Sequence, residues 1–154
     1  MTGRALTYPL AALIVPAVWW WLRRRRGRAT YPYALDVLLV LPFLIDTAGN
    51  AANLYDTISW WDDVNHLVNW AILVGGFSVL LLRTRLDAWP IFGLAVGFGA
   101  VTAIVWELLE YVTFIRNSPE LKTAYLDTLG DLALGLTGSM IAAVVAASVA
   151  RRRV

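Results

Sequence analysis

Seven carboxylates in this chain fall where acids are expensive, within or at the ends of long apolar stretches: Asp46, Asp62, Asp63, Glu107, Glu110, Asp127 and Asp131. Their spacing is helical. Asp46, Asn50 and Asn53 follow i, i+4, i+7; Glu107 and Glu110 are i, i+3; Asp127 and Asp131 are i, i+4; each set therefore shares a helix face. Asp62, Asp63, His66 and Asn69 form a fourth set. Carboxylates, amides and one imidazole make a hard, oxygen-rich ligand set suited to Mg²⁺, Mn²⁺ or Ca²⁺, with Zn²⁺ or Fe reachable through His66. The expected metal ligands are Asp62, Asp63, His66, Glu107, Glu110, Asp127 and Asp131, with Asp46, Asn50 and Asn53 lining the same polar region. Glu107 and Glu110 facing Asp127 and Asp131 can hold one ion or bridge two, as in helical di-metal bundles, although the motif order differs from that of di-iron proteins. Shared protons and water-mediated helix pairing are the competing explanation.

The elements that must carry these residues follow from composition. Of 154 residues, 59% are hydrophobic and 16% charged, with a mean hydropathy of +0.62, against about a quarter charged in a soluble domain. Eight Trp residues fit rings placed where lipid meets water. The absence of Cys removes disulfides, thiolate zinc sites and Cys nucleophiles. A hydrocarbon core about 30 Å thick needs about 20 apolar residues per helix, and five stretches qualify: 5–22, 34–54, 63–82, 88–114 and 123–150. The expectation is an all-α, polytopic transmembrane bundle of one domain, residues 1–154. The first stretch is a span rather than a signal peptide, because Arg23 to Arg26 stand where a cleavage site would lie.

Basic residues near span ends stay in the cytoplasm. Arg23, Arg24, Arg25, Arg26, Arg28, Arg83, Arg85, Arg151, Arg152 and Arg153 are ten of the thirteen cations, and they fall on one side. Arg4, Arg116 and Lys122 fall on the other. The N-terminus is therefore expected outside and the C-terminus in the cytoplasm of a cell (plasma) membrane. At about 1.5 Å per residue, Asp46 and Asp131 lie roughly 12 Å below the outer surface, with His66, Asn50, Glu107 and Glu110 between. All four helices aim their acids at the outer leaflet. An acid at mid-membrane costs about 2.5–3.5 kcal/mol, so seven unpaired ones would match or exceed the 5–15 kcal/mol or so that stabilises a typical domain. Arg116 and Lys122 are too few to neutralise them.

Plainer roles exist for several residues. Asp62, Asp63 and Asp127 near helix starts can act as caps or dipole partners, a role closed to Asp131 and Glu107. Asn50 and Asn53 can bond helix to helix. Trp60 and Trp61 fit interface anchors. Gly93 and Gly97, with Gly135 and Gly138, are expected to let spans four and five pack closely. The Arg23–Arg28 run fits a topology signal contacting anionic lipid, and no nucleic-acid partner is expected.

Residues 46–138 carry a set of blocks in order: Asp46-Thr47-Ala48-Gly49-Asn50 with Tyr55-Asp56, then Trp60-Trp61-Asp62-Asp63 with His66, then Trp106-Glu107 with Glu110, then Asp127-Thr128 with Asp131 and Gly138. On these blocks the chain resembles the small bacterial membrane proteins of the YjdF type, a DUF2238-like group, and more distantly VanZ-like proteins. The VanZ-like resemblance implies a link to tolerance of glycopeptide antibiotics. Asn69 and Trp70 stand where this pattern has small residues, and Gly135 where it tends to have a further Asp.

The leading functional expectation is a metal-dependent hydrolase or transferase acting on a lipid or lipid-linked substrate at the outer leaflet. The metal would polarise a phosphoryl or acyl oxygen and lower the pKa of bound water. Glu107 or Glu110 would serve as the catalytic base, and Arg116 and Lys122 would meet an anionic headgroup. Expected partners are membrane lipid and, for so small a bundle, further copies of the chain. The alternatives are a cation or proton transporter, and a non-catalytic binding or assembly protein.

Overall fold

Runs of Leu, Val, Ile and Ala leave the backbone in lipid one local way to satisfy its polar groups, the helix, and helices are what form. The computed structural model describes residues 2–27 and 30–153, less the side chains of 2–7, 9–11 and 26. Helix α1 (Thr2–Arg26) ends at Gly27, whose φ of 80° is the left-handed stop glycine supplies without strain. Next come α2 (Tyr33–Ala51), the short α3 (Leu54–Thr57), α4 (Trp61–Leu81), α5 (Ala88–Glu110) and α6 (Ala124–Arg151). A π turn (Tyr111–Ile115) extends α5, and a 3₁₀ turn (Pro119–Lys122) precedes α6.

Among the described residues four helices are long and apolar enough to cross a membrane: Tyr33–Ala51, Trp61–Leu81, Ala88–Ile115 and Ala124–Arg151. The expected span 5–22 lies within α1, part of whose side chains lie outside the described residues. So do the side chains of Arg4 and Arg26 and all of Arg28, which entered the expected charge asymmetry. Span two ends earlier than expected. Asn53 adopts φ 57°, ψ 33° and breaks the chain between α2 and α3, so it does not continue the face of Asp46 and Asn50. Asn tolerates this left-handed conformation better than other residues with a side chain.

Helix α4 lies against α2, α5 and α6; α6 packs on α4 and α5, and α1 packs on α2. The buried face of α5 is a ladder of five residues at four-residue steps, Ile91, Ala95, Gly99, Ala103 and Glu107. Gly93 and Gly97 stand two residues off that ladder, roughly 200° around the helix, and a Cβ on either would meet nothing within 4 Å. They do not pack α5 on α6, contrary to the sequence expectation. Gly99 does, since a Cβ there would run into Ser139 of α6. Gly138 serves a different pair: a Cβ on it would fall on the Leu67 carbonyl and 3.0 Å from the Ala71 nitrogen, so it lets α6 touch the backbone of α4.

Away from the acids the core is mostly apolar and small. Val74, Leu81, Ile91, Ala95, Ala142, Ala143, Ala146 and Ala150 form one buried cluster, flanked by Phe77 and Phe98 stacked at 4.2 Å. Outward faces stay apolar, with Leu44, Val101, Leu108 and Val145 each exposed, as expected where lipid rather than water is the solvent.

Candidate functional site

The buried faces of three helices each run into a polar residue at the same end of the bundle. The α5 ladder terminates in Glu107, the buried α6 face begins with Asp131, and α4 buries Asn65 and His66 ahead of Trp70 and Val74. Glu107 and Asp131 thus point inward for the reason Ala95 and Ala143 do: they occupy packing positions.

His66 stands at the centre of the group. Its Nε2 lies 3.7 Å from Asp62 Oδ1 and 3.7 Å from Asp131 Oδ1, and its Nδ1 lies 3.8 Å from Glu107 Oε1. Asp62 comes from the preceding turn of α4. Two ligand-like triads result, Asp62–His66–Asp131 and His66–Glu107–Glu110, each with donor atoms within 4.8 Å of one another. The imidazole is 9% exposed, and its buried Nδ1 has no hydrogen-bond partner. The Thr128 side chain of α6 neighbours Glu107.

These residues line a cavity of about 630 Å³ whose wall also includes Asn50, Asp127 and the ring of Trp106. No Lys or Arg lines it among the described residues. Asp63 and Asn53 are exposed and outside its lining, as are Arg116 and Lys122 on the connection between α5 and α6. The reason for Asp63 is angular. Asp62 and His66 are four residues apart and share a face, whereas Asp63 is turned roughly 100° away from Asp62; it stays in the first turn of α4, where an acid complements the helix dipole.

Asp46 belongs to a second, adjoining network. Tyr8 donates to its Oδ2 and Tyr55 to its Oδ1, both at 2.6 Å; Asn65 donates to the Tyr55 hydroxyl at 2.9 Å, and Asn69 donates to Asn65 at 3.1 Å. Two phenols satisfy this carboxylate, and the network ties α1, α2, α3 and α4 together. Sequence reasoning missed Tyr8 and Asn65. Asn65 had a signal, because with Asp62, His66 and Asn69 it completes the i, i+3, i+4, i+7 stripe of α4. Tyr8 had none beyond a phenol in an apolar run. Asp56, named only within the resembled blocks, and Glu120, not singled out, also line the cavity.

Two further placements differ from expectation. Trp60 is exposed, as an interface anchor should be, but Trp61 wedges against α2, where a Cβ on Gly49 would meet its Nε1 at 2.5 Å. Trp70 and Gly135, two of the three residues that depart from the resembled pattern, touch: a Cβ at 135 would lie 2.7 Å from Trp70 Cδ1. The indole occupies the space that a side chain at 135 would fill.

Apolar outward faces, spans of membrane length and a polar cavity confined to one end define a multi-pass helical membrane protein. The chain belongs to the DUF2238 family, described as predicted membrane proteins, which it matches over residues 3–152. Neither a curated protein nor a solved structure matches it.

Proposed function

We propose that this membrane protein holds a divalent cation among Asp62, His66, Glu107 and Asp131, with Glu110 beside it, and acts as a hydrolase or transferase on a lipid or lipid-linked substrate. The observation that carries the reading is the His66 imidazole, nine-tenths buried and flanked on both nitrogens by carboxylates from three helices. Without a cation, several acids and one imidazole would share a poorly solvated space, which is costly. A bound cation would supply Lewis acidity toward a phosphoryl or acyl oxygen and toward water. Glu110, half-buried on the cavity wall, would take the proton from that water.

The cavity has a mixed lining that suits a lipid: Phe43, Leu73, Trp106 and Phe114 line it together with the acids. Arg116 and Lys122, exposed on the connection at this end, would meet an anionic headgroup. We place the cavity on the extracytoplasmic side of the plasma membrane because the opposite end carries the basic residues. There Arg23, Arg24 and Arg25 stack on Trp19, Trp20 and Trp21 at 5.2, 3.8 and 4.5 Å, an arrangement fitted to an anionic headgroup layer.

The apolar cluster from Val74 to Ala150 packs the bundle beyond the cavity and places no ionisable side chain there, which favours a one-sided site over a transport path. The test is elemental analysis of the detergent-purified protein after dialysis against Mg²⁺, Mn²⁺, Ca²⁺, Zn²⁺ and Fe²⁺ in turn, wild type beside Asp131→Asn. Near-stoichiometric metal that the variant loses supports the reading and opens a screen of lipid-linked phosphates and esters. No metal under any condition overturns it.

A further inference from the structure

A neutral imidazole ligates through one nitrogen while the other keeps its proton, and the two sides of His66 are not equivalent. On the Nε2 side Asp131 is only 8% exposed but Asp62 retains 45% of its side-chain surface, so that side opens outward through Asp62. On the Nδ1 side Glu107 is only 7% exposed and Nδ1 itself is buried without a hydrogen-bond partner. Nδ1–H and Glu107 Oε1, 3.8 Å apart, need to close by only about 0.9 Å to reach the charge-assisted range.

Spacing and the nitrogen donor together favour one kind of metal. Ligands about 2.0–2.1 Å from a tetrahedral ion stand about 3.4 Å from one another, whereas neighbouring ligands of octahedral Mg²⁺ stand about 2.9 Å apart. The two Nε2-to-carboxylate distances of 3.7 Å therefore close onto a tetrahedral ion with about 0.3 Å of movement and onto Mg²⁺ with about 0.8 Å. Ca²⁺ tolerates wider spacing but takes oxygen ligands, and His66 offers nitrogen. Asp62 and His66 at i, i+4 on α4 are also spaced as two helical residues that share one ion.

We infer that Asp62, His66 through Nε2, and Asp131 are the three protein ligands of a four-coordinate, zinc-type ion with one position open to the cavity, and that Glu107 is a positioning residue holding the imidazole through Nδ1–H; this rests on the metal-site reading above and narrows it. The base role then falls to Glu110 alone.

The test uses full-length protein in detergent, stripped by a chelator and titrated separately with Co²⁺, Zn²⁺ and Mg²⁺. The expected result is one Co²⁺ per chain with the intense visible absorption of a four-coordinate ion, displaced by Zn²⁺ and not by Mg²⁺. His66→Gln and Asp131→Asn lose that absorption. Glu107→Gln keeps it with affinity weakened by about 10–100-fold, and Glu107→Asp recovers part of the loss. Helical circular dichroism and monodisperse elution check each variant, and Asp62→Asn, altering a half-exposed side chain, tests ligation where a buried substitution fails to fold. A six-coordinate Co²⁺ spectrum, or a His66→Gln protein that binds as the wild type does, overturns the assignment. Loss of metal in Glu107→Gln with retention in Asp62→Asn moves the ion to Nδ1 and overturns it as well. A wild type that binds no divalent ion overturns the proposed metal site itself, a distinguishable failure.

Discussion

At the scale of single residues, what separates the acids is the partner each one finds. Asp46 is satisfied by two phenols and belongs to the scaffold, whereas Asp62, Asp131 and Glu107 converge on one imidazole. Glu110 stands beside that group on the cavity wall, and Glu110→Gln is expected to lower turnover of a lipid-linked phosphate or ester by about 10²–10⁴-fold with metal content unchanged; equal losses of both would make it a ligand instead. A separate residue-scale effect belongs to the connection between α1 and α2. Tyr31 donates to Asp36 at 2.5 Å. That hydrogen bond, with desolvation and the Asp36 charge adding to it, pushes the phenol from the ordinary 10 up to about 12. The folded protein keeps this proton after the unfolded chain has lost it, so the contribution is complete below pH 10 and disappears as pH rises from 10 to about 12. Thermal melts across that window should fall in the wild type, and the Tyr31→Phe protein should lack this part of the fall.

Between elements, small residues decide how close two helices come. Gly138 sets α6 against the α4 backbone next to Leu67, one residue from His66, so the packing and the site share a cause. Gly138→Ala should destabilise the bundle by about 1–3 kcal/mol, the usual range for overpacking, and should weaken metal binding by shifting Asp131 relative to His66. Gly93→Ala, on the open face of α5, should lose nothing and gain up to about 1 kcal/mol of helix propensity. Denaturation of the two variants in the same detergent compares them directly, and equal destabilisation would contradict the assignment of faces. The π turn after Glu110 is a related device. Its wide i to i+5 bond, Arg116 N to Tyr111 O at 3.0 Å, reorients the end of α5, and Phe114 and Ile115 join the cavity wall; turns of this kind occur often at functional sites.

For the whole molecule, charge asymmetry and cavity position make one prediction. Nine of the eleven acids occupy one end, all but Asp36 and Asp87, and the described cations gather mostly at the other, where Arg85, Arg151 and Arg153 border a second cavity of about 650 Å³. The chain has no native Cys, so single replacements report cleanly. A membrane-impermeant maleimide applied to intact cells should label Leu121→Cys, on the α5–α6 connection, and leave Leu86→Cys, on the α4–α5 connection, unlabelled until the cells are opened. The reverse pattern would place the cavity on the cytoplasmic side and exclude an outer-leaflet substrate.

Much of this was legible from one chain. Span length, helical class and the convergence of acids from four helices at one depth follow from hydropathy and the fixed rise per residue, which act locally and need no partner. Membership of the cluster was only partly legible. Asp62 and Asp63 are equivalent by composition and separated by one step around a helix, and only the packing of α4 on α6 selects the first. Asp46 and Asp131 lie at similar depth, yet Tyr8 and Tyr55 reach one and His66 the other, contacts between residues distant in sequence. The glycines show the same division. Sequence reveals that small residues are present, but which face of α5 meets α6 depends on the whole arrangement of helices, because close packing is a property of two surfaces together and neither surface carries it alone.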